Sequence, residues 1–220
     1  MRGSQLDLYL SYGYFRMHQN IFTCRIVCFD EAFYSVHWLR IVLADVVYGK
    51  KQQQVLKANS RFSVRVQPFV LTDEMEELYA RYRASVNFDA PLSVESWLYD
   101  GDRYTTFDTQ LVEVRDGTRL IAGGIFDCGY DSIAGIMNFY DPDYRKFSLG
   151  KYLMLQKIEY ARQQQKAYYY PGYLIHRYPK FDYKLFACEA ATEVFDEATN
   201  QWLPFDWAIV EMHSEGILND

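Results

Sequence analysis

The 220-residue sequence predicts a mixed α+β fold, and two observations support this. Short segments rich in β-branched and aromatic residues alternate with segments whose apolar residues recur every three or four positions, as in amphipathic helices. The carboxy-terminal half places three predicted strands before one long helix and a fourth strand after it. Hydrophobic residues make up 50% of the chain, which is enough to bury one large core or two small ones.

The amino-terminal half begins with a predicted short helix that Ser4 caps and that ends near Gly13. Strands are predicted at residues 21–29, 33–43 and 61–71, with a polar helix at 50–59. Thr72 is expected to cap a helix that starts with acidic residues, and Ser93 to start another short helix.

The second half of the chain is predicted to contain a hairpin, a strand, a helix and a further strand, in that order. The hairpin turns at Asp116-Gly117, a dipeptide typical of two-residue turns. The strand at 132–140 precedes a helix at 149–165, in which Leu149, Leu153 and Ile158 or Met154 and Tyr160 face inward. The last strand, 167–175, contains Pro171, which requires an edge position or an interruption of the pairing.

This order of elements is that of the GNAT-like acyltransferase fold. In that fold the last two strands part, and the gap admits an acyl donor. We therefore predict a GNAT-like domain over residues 69–220, with a small amino-terminal α+β region over residues 1–68 packed on it.

The formal net charge of −6 argues against a nucleic-acid partner until the charges are mapped along the chain. Residues 50–67 carry five Lys or Arg and no acid, and residues 144–184 carry nine against two acids. Residues 186–220 hold eight acids and no Lys or Arg. Such segregation lets an acidic protein present a basic surface to a polyanion.

The four cysteines predict free thiols rather than disulfides, because nothing in the sequence predicts export. Cys24 and Cys28 are four positions apart and would share a face on one strand. No second close pair supplies the other ligands of a zinc site, so buried thiols are favoured over a metal. With neither an apolar run of about 18 residues nor a signal-peptide pattern, we expect a cytoplasmic protein without a membrane span.

The amino end of the long helix is a predicted anion site, because its free N–H groups and dipole favour negative charge. Arg145, Lys146 and Lys151 add cations there, Gly150 allows a close backbone approach, and Ser148 is expected to cap the helix. The pattern Arg145-x-x-Ser148-x-Gly150 partly matches the acetyl-CoA loop of GNAT enzymes.

Two segments carry the most specific motifs: FYDPDYRKFSLGKYLMLQKIEYA at 139–161 and YYYPGYLIHRYPKFDYK at 168–184. Both resemble the carboxy-terminal domain of aminoacyl-tRNA–protein transferases, the arginyl and bacterial leucyl transferases. The positions that match the second motif are Tyr169, Tyr170, Gly172, Tyr173, Ile175, Lys180, Tyr183 and Lys184. Tyr178 and Phe181 stand where the family usually has Cys and Met, so the chain resembles a divergent bacterial branch.

The resemblance implies transfer of arginine or leucine from aminoacyl-tRNA to the α-amine of acidic protein amino termini, which marks proteins for degradation. The implied partners are an aminoacyl-tRNA and a protein or peptide amino terminus. No cofactor or metal is expected, because the aminoacyl ester is already activated. Neither the transferred amino acid nor the oligomeric state follows from the sequence.

The acceptor's acidic side chain is expected to meet a cation. Lys180 and Lys184 are the candidates on the family motif, and Arg16 and Arg40 are rivals because arginine binds carboxylate in a bidentate fork.

Asp141 and Asp143, which flank Pro142, are the candidates for a base, although either could equally cap a turn. Tyr173 and Tyr183 are candidates for donating to the oxyanion or stacking on the terminal adenine, roles that core tyrosines would not need. The residues expected to contact tRNA are Lys50, Lys51, Arg145, Lys146, Gly150 and Lys151.

Two alternatives stay open. The first is an acetyl-CoA-dependent N-acyltransferase of GNAT type, which the partial loop match at 145–150 favours. The second is a catalytically inactive module that binds protein amino termini, which the departures at Tyr178 and Phe181 favour.

Overall fold

The computed structural model describes residues 1–29, 31–101 and 104–219. The helices are α1 (Ser4–Ser11), α2 (Lys50–Asn59), α3 (Asp73–Ser85), α4 (Val94–Tyr99), α5 (Leu149–Gln163) and α6 (Trp207–Asn219). The strands are β1 (Phe15–Met17), β2 (Asn20–Phe22), β3 (Ile26–Phe29), β4 (Ala32–Val42), β5 (Ser63–Pro68), β6 (Thr109–Asp116), β7 (Arg119–Cys128), β8 (Ser132–Tyr140), β9 (Tyr168–Ile175), β10 (Thr192–Asp196) and β11 (Gln201–Pro204). Short 3₁₀ helices span Leu43–Asp45, Pro142–Phe147, Pro179–Phe186 and Glu189–Ala191.

Within the described residues, nine strands form one sheet. Its order is β11-β10-β4-β9-β8-β7-β6-β5, and β3 pairs with the first part of β4. β5 to β8 are antiparallel neighbours, whereas β8 and β9 run parallel and α5 connects them. The sheet continues across the predicted boundary at residues 68 and 69, because β4 pairs with β9 and β10 and β5 pairs with β6.

Helices cover both faces of the sheet. Adjacent residues of β6 show this, since neighbours along a strand point to opposite faces. Val112 belongs to the core under α2 and α5, whereas Leu111 belongs to the core under α3 and α4. None of the helices in the described part of the chain is long and apolar enough to cross a bilayer.

β8 and β9 pair only at their amino-terminal ends, from Ser132 opposite Tyr168 to Ala134 opposite Tyr170. Beyond that point Pro171 has no N–H to donate, and Gly172 adopts φ 98°, a conformation that favours glycine. β9 stays paired with β4 up to Ile175, so the two parallel strands part and leave a cleft. The GNAT-like arrangement predicted from the order of elements is confirmed, and Pro171 interrupts the pairing.

Most predicted elements are confirmed, including the cap at Thr72, whose side chain accepts from the N–H of Met75. Ser93 starts α4 with a reciprocal capping box.

Two cap predictions are wrong. Ser4 is the first helical residue, and Gly3 occupies the cap position without a side-chain bond. Ser148 precedes α5 at φ 53°, and its side chain makes no cap bond.

Arg16, on β1, is buried and its guanidinium is held inside the protein. It contacts the Asp127 carboxylate at 2.9 Å and donates to Thr109 Oγ1 at 2.9 Å. It also donates to the carbonyl oxygens of Leu98 and His18. These contacts tie the β1–β2 hairpin to β6, β7 and α4.

Removing Arg16 should destabilise the fold, because the buried Asp127 would lose its countercharge. We expect Arg16→Met to lower the free energy of unfolding by about 3–5 kcal/mol in urea denaturation. The double variant Arg16→Met/Asp127→Leu removes both charges and should recover most of that loss. A double variant no more stable than the single one would contradict this explanation.

Candidate functional site

The cleft between β8 and β9 is narrow, with a volume of about 50 Å³. Its lining residues come from three sources: Gly135, Ile136, Met137 and Asn138 of β8; Met154 and Lys157 of α5; and Tyr169, Pro171, Tyr183 and Lys184 of β9 and the 3₁₀ helix that follows it. It opens beyond Ala134, towards the carboxyl ends of both strands, because pairing holds the other ends together. A space of this size admits reacting groups rather than a whole nucleotide.

Lys184 lies on the wall of the cleft and is 7% exposed. Its ammonium donates to the carbonyl oxygen of Tyr173 and lies 4.8 Å from that ring, 4.5 Å from the ring of Phe181 and 5.7 Å from that of Tyr183. No carboxylate among the described residues pairs with it. Burial lowers the pKa of Lys184 to about 7. This arrangement leaves donors of a buried cation available to an anion in the cleft.

Lys157, on α5, forms the floor of the same cleft and is 1% exposed. Its ammonium donates to the carbonyl oxygens of Ile125 (2.8 Å) and Met137 (3.3 Å) and to Asn138 Oδ1 (2.8 Å). Burial lowers the pKa of Lys157 to about 7. Two buried lysines, Lys157 and Lys184, therefore line the same cleft.

The amino end of α5 lies beyond the carboxyl end of β8. Ser148 gives no side-chain cap bond, and no other side chain in the described part of the chain accepts from the first N–H groups of α5. Arg145, Lys146 and Lys151 are exposed around this end, and Gly150 is half-buried. The end of the helix that faces the opening of the cleft is thus positively charged.

Contacts bring α2 beside this end of α5. Asn59 donates to the carbonyl oxygen of Phe147 at 2.9 Å, and Gln52 donates to that of Phe186. The ring of Phe186 lies 4.5 Å from the ammonium of Lys151. Lys50 and Lys51, which precede Gln52, are exposed. The two basic segments predicted from the sequence therefore lie on one side of the molecule, and their contact with tRNA stays a prediction.

Asp141 is buried at the exit of β8, where three groups hold its carboxylate. Oδ2 lies 2.5 Å from Arg119 and 3.4 Å from Arg81, and Oδ1 accepts from the N–H of Asp143 at 3.1 Å. Asp141 therefore caps this turn, which was the alternative to a role as base. It does not line the cleft.

The two candidate tyrosines differ in position. Tyr173 packs between Phe181, with ring centroids 5.4 Å apart, and Trp38, at 4.9 Å. Tyr183 lines the cleft and is 47% exposed, so its ring is available to a ligand. Stacking of an adenine on Tyr183 stays a prediction.

The remaining acceptor-binding candidates lie outside the cleft lining. Arg40 contacts Glu193 at 2.5 Å and packs against the rings of Tyr168 and Trp202. Lys180 is exposed, with its ammonium 5.6 Å from the Tyr178 ring. Arg16 is also occupied by internal partners, so of the four cations predicted to bind the acceptor, Lys184 is the one that lines the cleft.

The cysteines provide no ligand set for a metal. Cys24 is half-buried, and burial raises the pKa of its thiol to about 11, whereas Cys28 is exposed on β3. The expectation of a buried thiol is therefore wrong for Cys28. The described residues contain no group of three or more His, Cys, Asp or Glu placed to hold a metal ion.

The sequence analysis did not predict Asn138 and Lys157, two polar side chains of the cleft lining. Lys157 was counted only as part of the basic segment, but it falls one turn from Leu153 and Met154, both buried. A lysine on the apolar stripe of a helix was the available signal.

The element predictions also missed the β1–β2 hairpin, β10, β11 and α6.

The two buried lysines should make the stability of the protein depend on pH. Their pKa values are about 7 in the folded state, against about 10.4 in the unfolded chain. Above pH 7 the unfolded chain binds more protons than the folded protein, so the free energy of unfolding rises with pH. Each lysine contributes up to about 1.4 kcal/mol per pH unit. Urea denaturation at pH 7.0, 7.8 and 8.5 measures this rise.

Lys157→Met and Lys184→Met are the matched variants for this prediction. Each substitution should reduce the increase of the free energy of unfolding with pH by the contribution of the lysine that it removes. Each variant should also be more stable than the wild type at pH 7. Equal slopes in the wild type and both variants would show that the two lysines ionise normally in the folded protein.

Comparison with known proteins gives a family match and similar sequences. The family model described as "Arginine-tRNA-protein transferase, C terminus" matches residues 74–187, more than half of the 220-residue chain. Aspartate/glutamate leucyltransferase from Leptospira interrogans (serovar copenhageni) is 30% identical over 174 residues, which are 76% of this chain and 67% of that protein. Arginyl-tRNA–protein transferase 1 from Arabidopsis thaliana is 30% identical over 192 residues, 75% of this chain and 29% of the plant protein.

A solved structure supports the fold alone. It is the C-terminal domain of a protein from Agrobacterium fabrum named as a lysylphosphatidylglycerol synthetase. The TM-score is 0.50 at 11% identity, over 63% of this chain and 48% of that one. The family that the motifs at 139–161 and 168–184 predicted is confirmed by the family match, which runs from α3 to the 3₁₀ helix after β9. The chain belongs to the arginine-tRNA–protein transferase family.

Proposed function

We propose that this protein transfers an aminoacyl group from the 3′ end of a tRNA to the α-amine of a protein amino terminus. The observation that carries the proposal is the cleft between β8 and β9, which is lined by the buried Lys184, a cation that pairs with no carboxylate among the described residues. The basic amino end of α5 follows the carboxyl end of β8, on the side where the cleft opens. The names of the two relatives, a leucyltransferase and an arginyl-tRNA–protein transferase, support the same reaction. We place this reaction in the cytoplasm.

The cleft suits an aminolysis. The amine nitrogen attacks the ester carbonyl carbon, the bond to the ribose oxygen breaks, and the proton lost by the amine ends on that oxygen. An α-amine titrates near 8, so a sizeable fraction is neutral at physiological pH. The main contributions of the protein are to hold the two groups about 3–3.5 Å apart and to stabilise the oxyanion.

Lys184 gives this reaction a preference for acidic acceptors. A carboxylate side chain of the acceptor can bind Lys184, which has no countercharge among the residues that the structure describes, and the aromatic rings around Lys184 exclude water from the pair. Binding a carboxylate also keeps Lys184 protonated, since a nearby opposite charge favours the charged form. The name of the Leptospira relative, an aspartate/glutamate leucyltransferase, supports acidic acceptors here, and the modified proteins would then be marked for degradation.

The bound tRNA would approach over α2 and the amino end of α5. The cleft is too small for the terminal adenosine, so only the ester enters and the adenine stays near the exposed face of Tyr183. Lys50, Lys51, Arg145, Lys146 and Lys151 are exposed and lie on the side of the molecule from which the acceptor stem would come.

The activity is tested by incubating the protein with labelled arginyl-tRNA or leucyl-tRNA and peptides that begin with Asp, Glu or Ala. We expect label on the Asp and Glu peptides from one of the two tRNAs, and little on the Ala peptide. Absence of transfer from both tRNAs to all three peptides would refute the proposed function.

Replacing Lys184 should remove the acidic preference. We expect Lys184→Met to lower kcat/KM for Asp- and Glu-initiated peptides by at least about tenfold, because a desolvated carboxylate loses its partner. The slow reaction of the Ala-initiated peptide should change little and serves as the internal control.

The same assay tests whether one of the other candidate cations, rather than Lys184, binds the acceptor's carboxylate. If Lys180→Ala, Arg16→Met or Arg40→Ala abolishes the preference while Lys184→Met leaves it intact, the cation belongs to that other residue.

The tRNA surface predicts a salt dependence. Each phosphate contact that is removed should reduce the slope of log affinity against log salt by about one. The triple variant Lys50→Ala/Lys51→Ala/Arg145→Ala should therefore lose up to about three units of slope, measured by filter binding at several salt concentrations. Arg2→Ala/Arg83→Ala is the control: both arginines are exposed, Arg2 precedes α1 and Arg83 lies on α3, and both helices pack on the face of the sheet opposite α5. Equal slopes for the triple variant and the control would place the tRNA elsewhere.

A further inference from the structure

Asn138 has a side chain in the cleft that the reaction described above does not yet use. It lines the cleft between β8 and β9 and is half-buried. Among the described residues, Lys157 is the one hydrogen-bond partner of its side chain, through Asn138 Oδ1 at 2.8 Å. The amide nitrogen on the other side of the same planar group is left as a donor.

A β-bulge places Asn138 there. β8 pairs with β7 through Gly135 opposite Phe126 and Met137 opposite Ile125, so Ile136 is an extra residue. Strict alternation from Ala134, which packs in the core away from α5, would also turn Asn138 away from α5. The extra residue reverses the alternation, and Asn138 faces α5 and the cleft. Bulges commonly re-aim a side chain near a functional site.

Lys157 fixes which end of the amide faces the cleft. A protonated lysine has donors only, and its other two acceptors are the backbone carbonyl oxygens of Ile125 and Met137. Asn138 must therefore present Oδ1 to Lys157 and its NH₂ group to the opposite side. Gly124, opposite Asn138 on β7, makes room for this pair: a Cβ there would lie 3.1 Å from both Asn138 Oδ1 and Lys157 Cε.

We propose that the side-chain amide of Asn138 donates a hydrogen bond to the oxyanion that forms during aminoacyl transfer, and that Lys157 is the positioning residue that orients this amide. This inference rests on the proposed function. When the α-amine adds to the ester carbonyl, the carbonyl oxygen gains the negative charge. Asn138 stabilises that charge until the bond to the ribose oxygen breaks and the carbonyl re-forms.

Two substitutions of Asn138 separate this role from simpler ones. Asn138→Asp keeps an acceptor for Lys157 and removes the donor, and Asn138→Leu is a neutral variant of similar size without either. We expect both to lower the single-turnover transfer rate by about 100- to 1,000-fold, as removal of one oxyanion donor does elsewhere. KM for the peptide and Kd for the aminoacyl-tRNA should change less than about threefold, because the bond forms only in the transition state.

Unequal effects of the two variants would overturn the proposal. Activity retained in Asn138→Asp and lost in Asn138→Leu would show that Asn138 only satisfies Lys157. Activity lost only in Asn138→Asp would show an effect of the added charge. The wild-type reaction is the reference: if it transfers nothing, the proposed function and this inference fail together, and if it is active with both variants equally active, only this inference fails.

Lys157→Met tests the positioning role and should remain folded, because it removes a buried charge. We expect a loss of about tenfold in the single-turnover rate, since the amide is no longer held in one orientation. Adding Lys157→Met to Asn138→Leu should cost little more than Asn138→Leu alone, because the two residues act as one unit. Multiplicative losses in the double variant, or an unchanged rate in Lys157→Met, would contradict the positioning role.

Discussion

The geometry of the site depends on the loss of pairing between β8 and β9 after Tyr170. β9 is held on its other side by β4 along most of its length, so it cannot bend away freely. The pairing with β8 ends at Tyr170, whereas the pairing with β4 has a register shift opposite Tyr170 and Pro171 and resumes at Gly172. The result is a gap inside a continuous sheet, where backbone groups of β8 need other partners. Lys157 supplies one of them to the Met137 carbonyl oxygen.

The gap determines the electrostatics of the site. Burying a lysine that forms no ion pair is unfavourable, and in the described part of the chain neither Lys157 nor Lys184, both at one cleft, forms an ion pair with a carboxylate. Lys157 offsets the cost with three oxygen acceptors, whereas Lys184 has one carbonyl and three aromatic rings. Lys184 is therefore the less compensated of the two, which suits a residue that awaits an anion from a substrate. Acidic residues are instead concentrated after residue 186, in the segment that contains β10, β11 and α6.

The sequence was enough to predict the elements from β5 to β9 and the position of the cleft, because Pro171 and the amphipathic helix after Ser148 are local signals. Lys184 could also be found, since it falls on a motif. Asn138 could not, because its direction depends on a bulge whose register is set by pairing with β7. Arg16 was ambiguous for a related reason. Its partner Asp127 lies 111 residues away, and no local pattern links the two.

The same two lysines connect stability to function. If the fold were selected for stability alone, methionine would serve better at positions 157 and 184, because it fills a similar volume without a charge to desolvate. Retaining both lysines keeps the least favourable burial of charge at the place where an oxyanion and an acidic side chain are proposed to bind. Binding of an anion then offsets part of the free energy that it costs the folded protein to bury the two lysines. A cleft built in this way binds developing negative charge more strongly than its small volume alone would suggest.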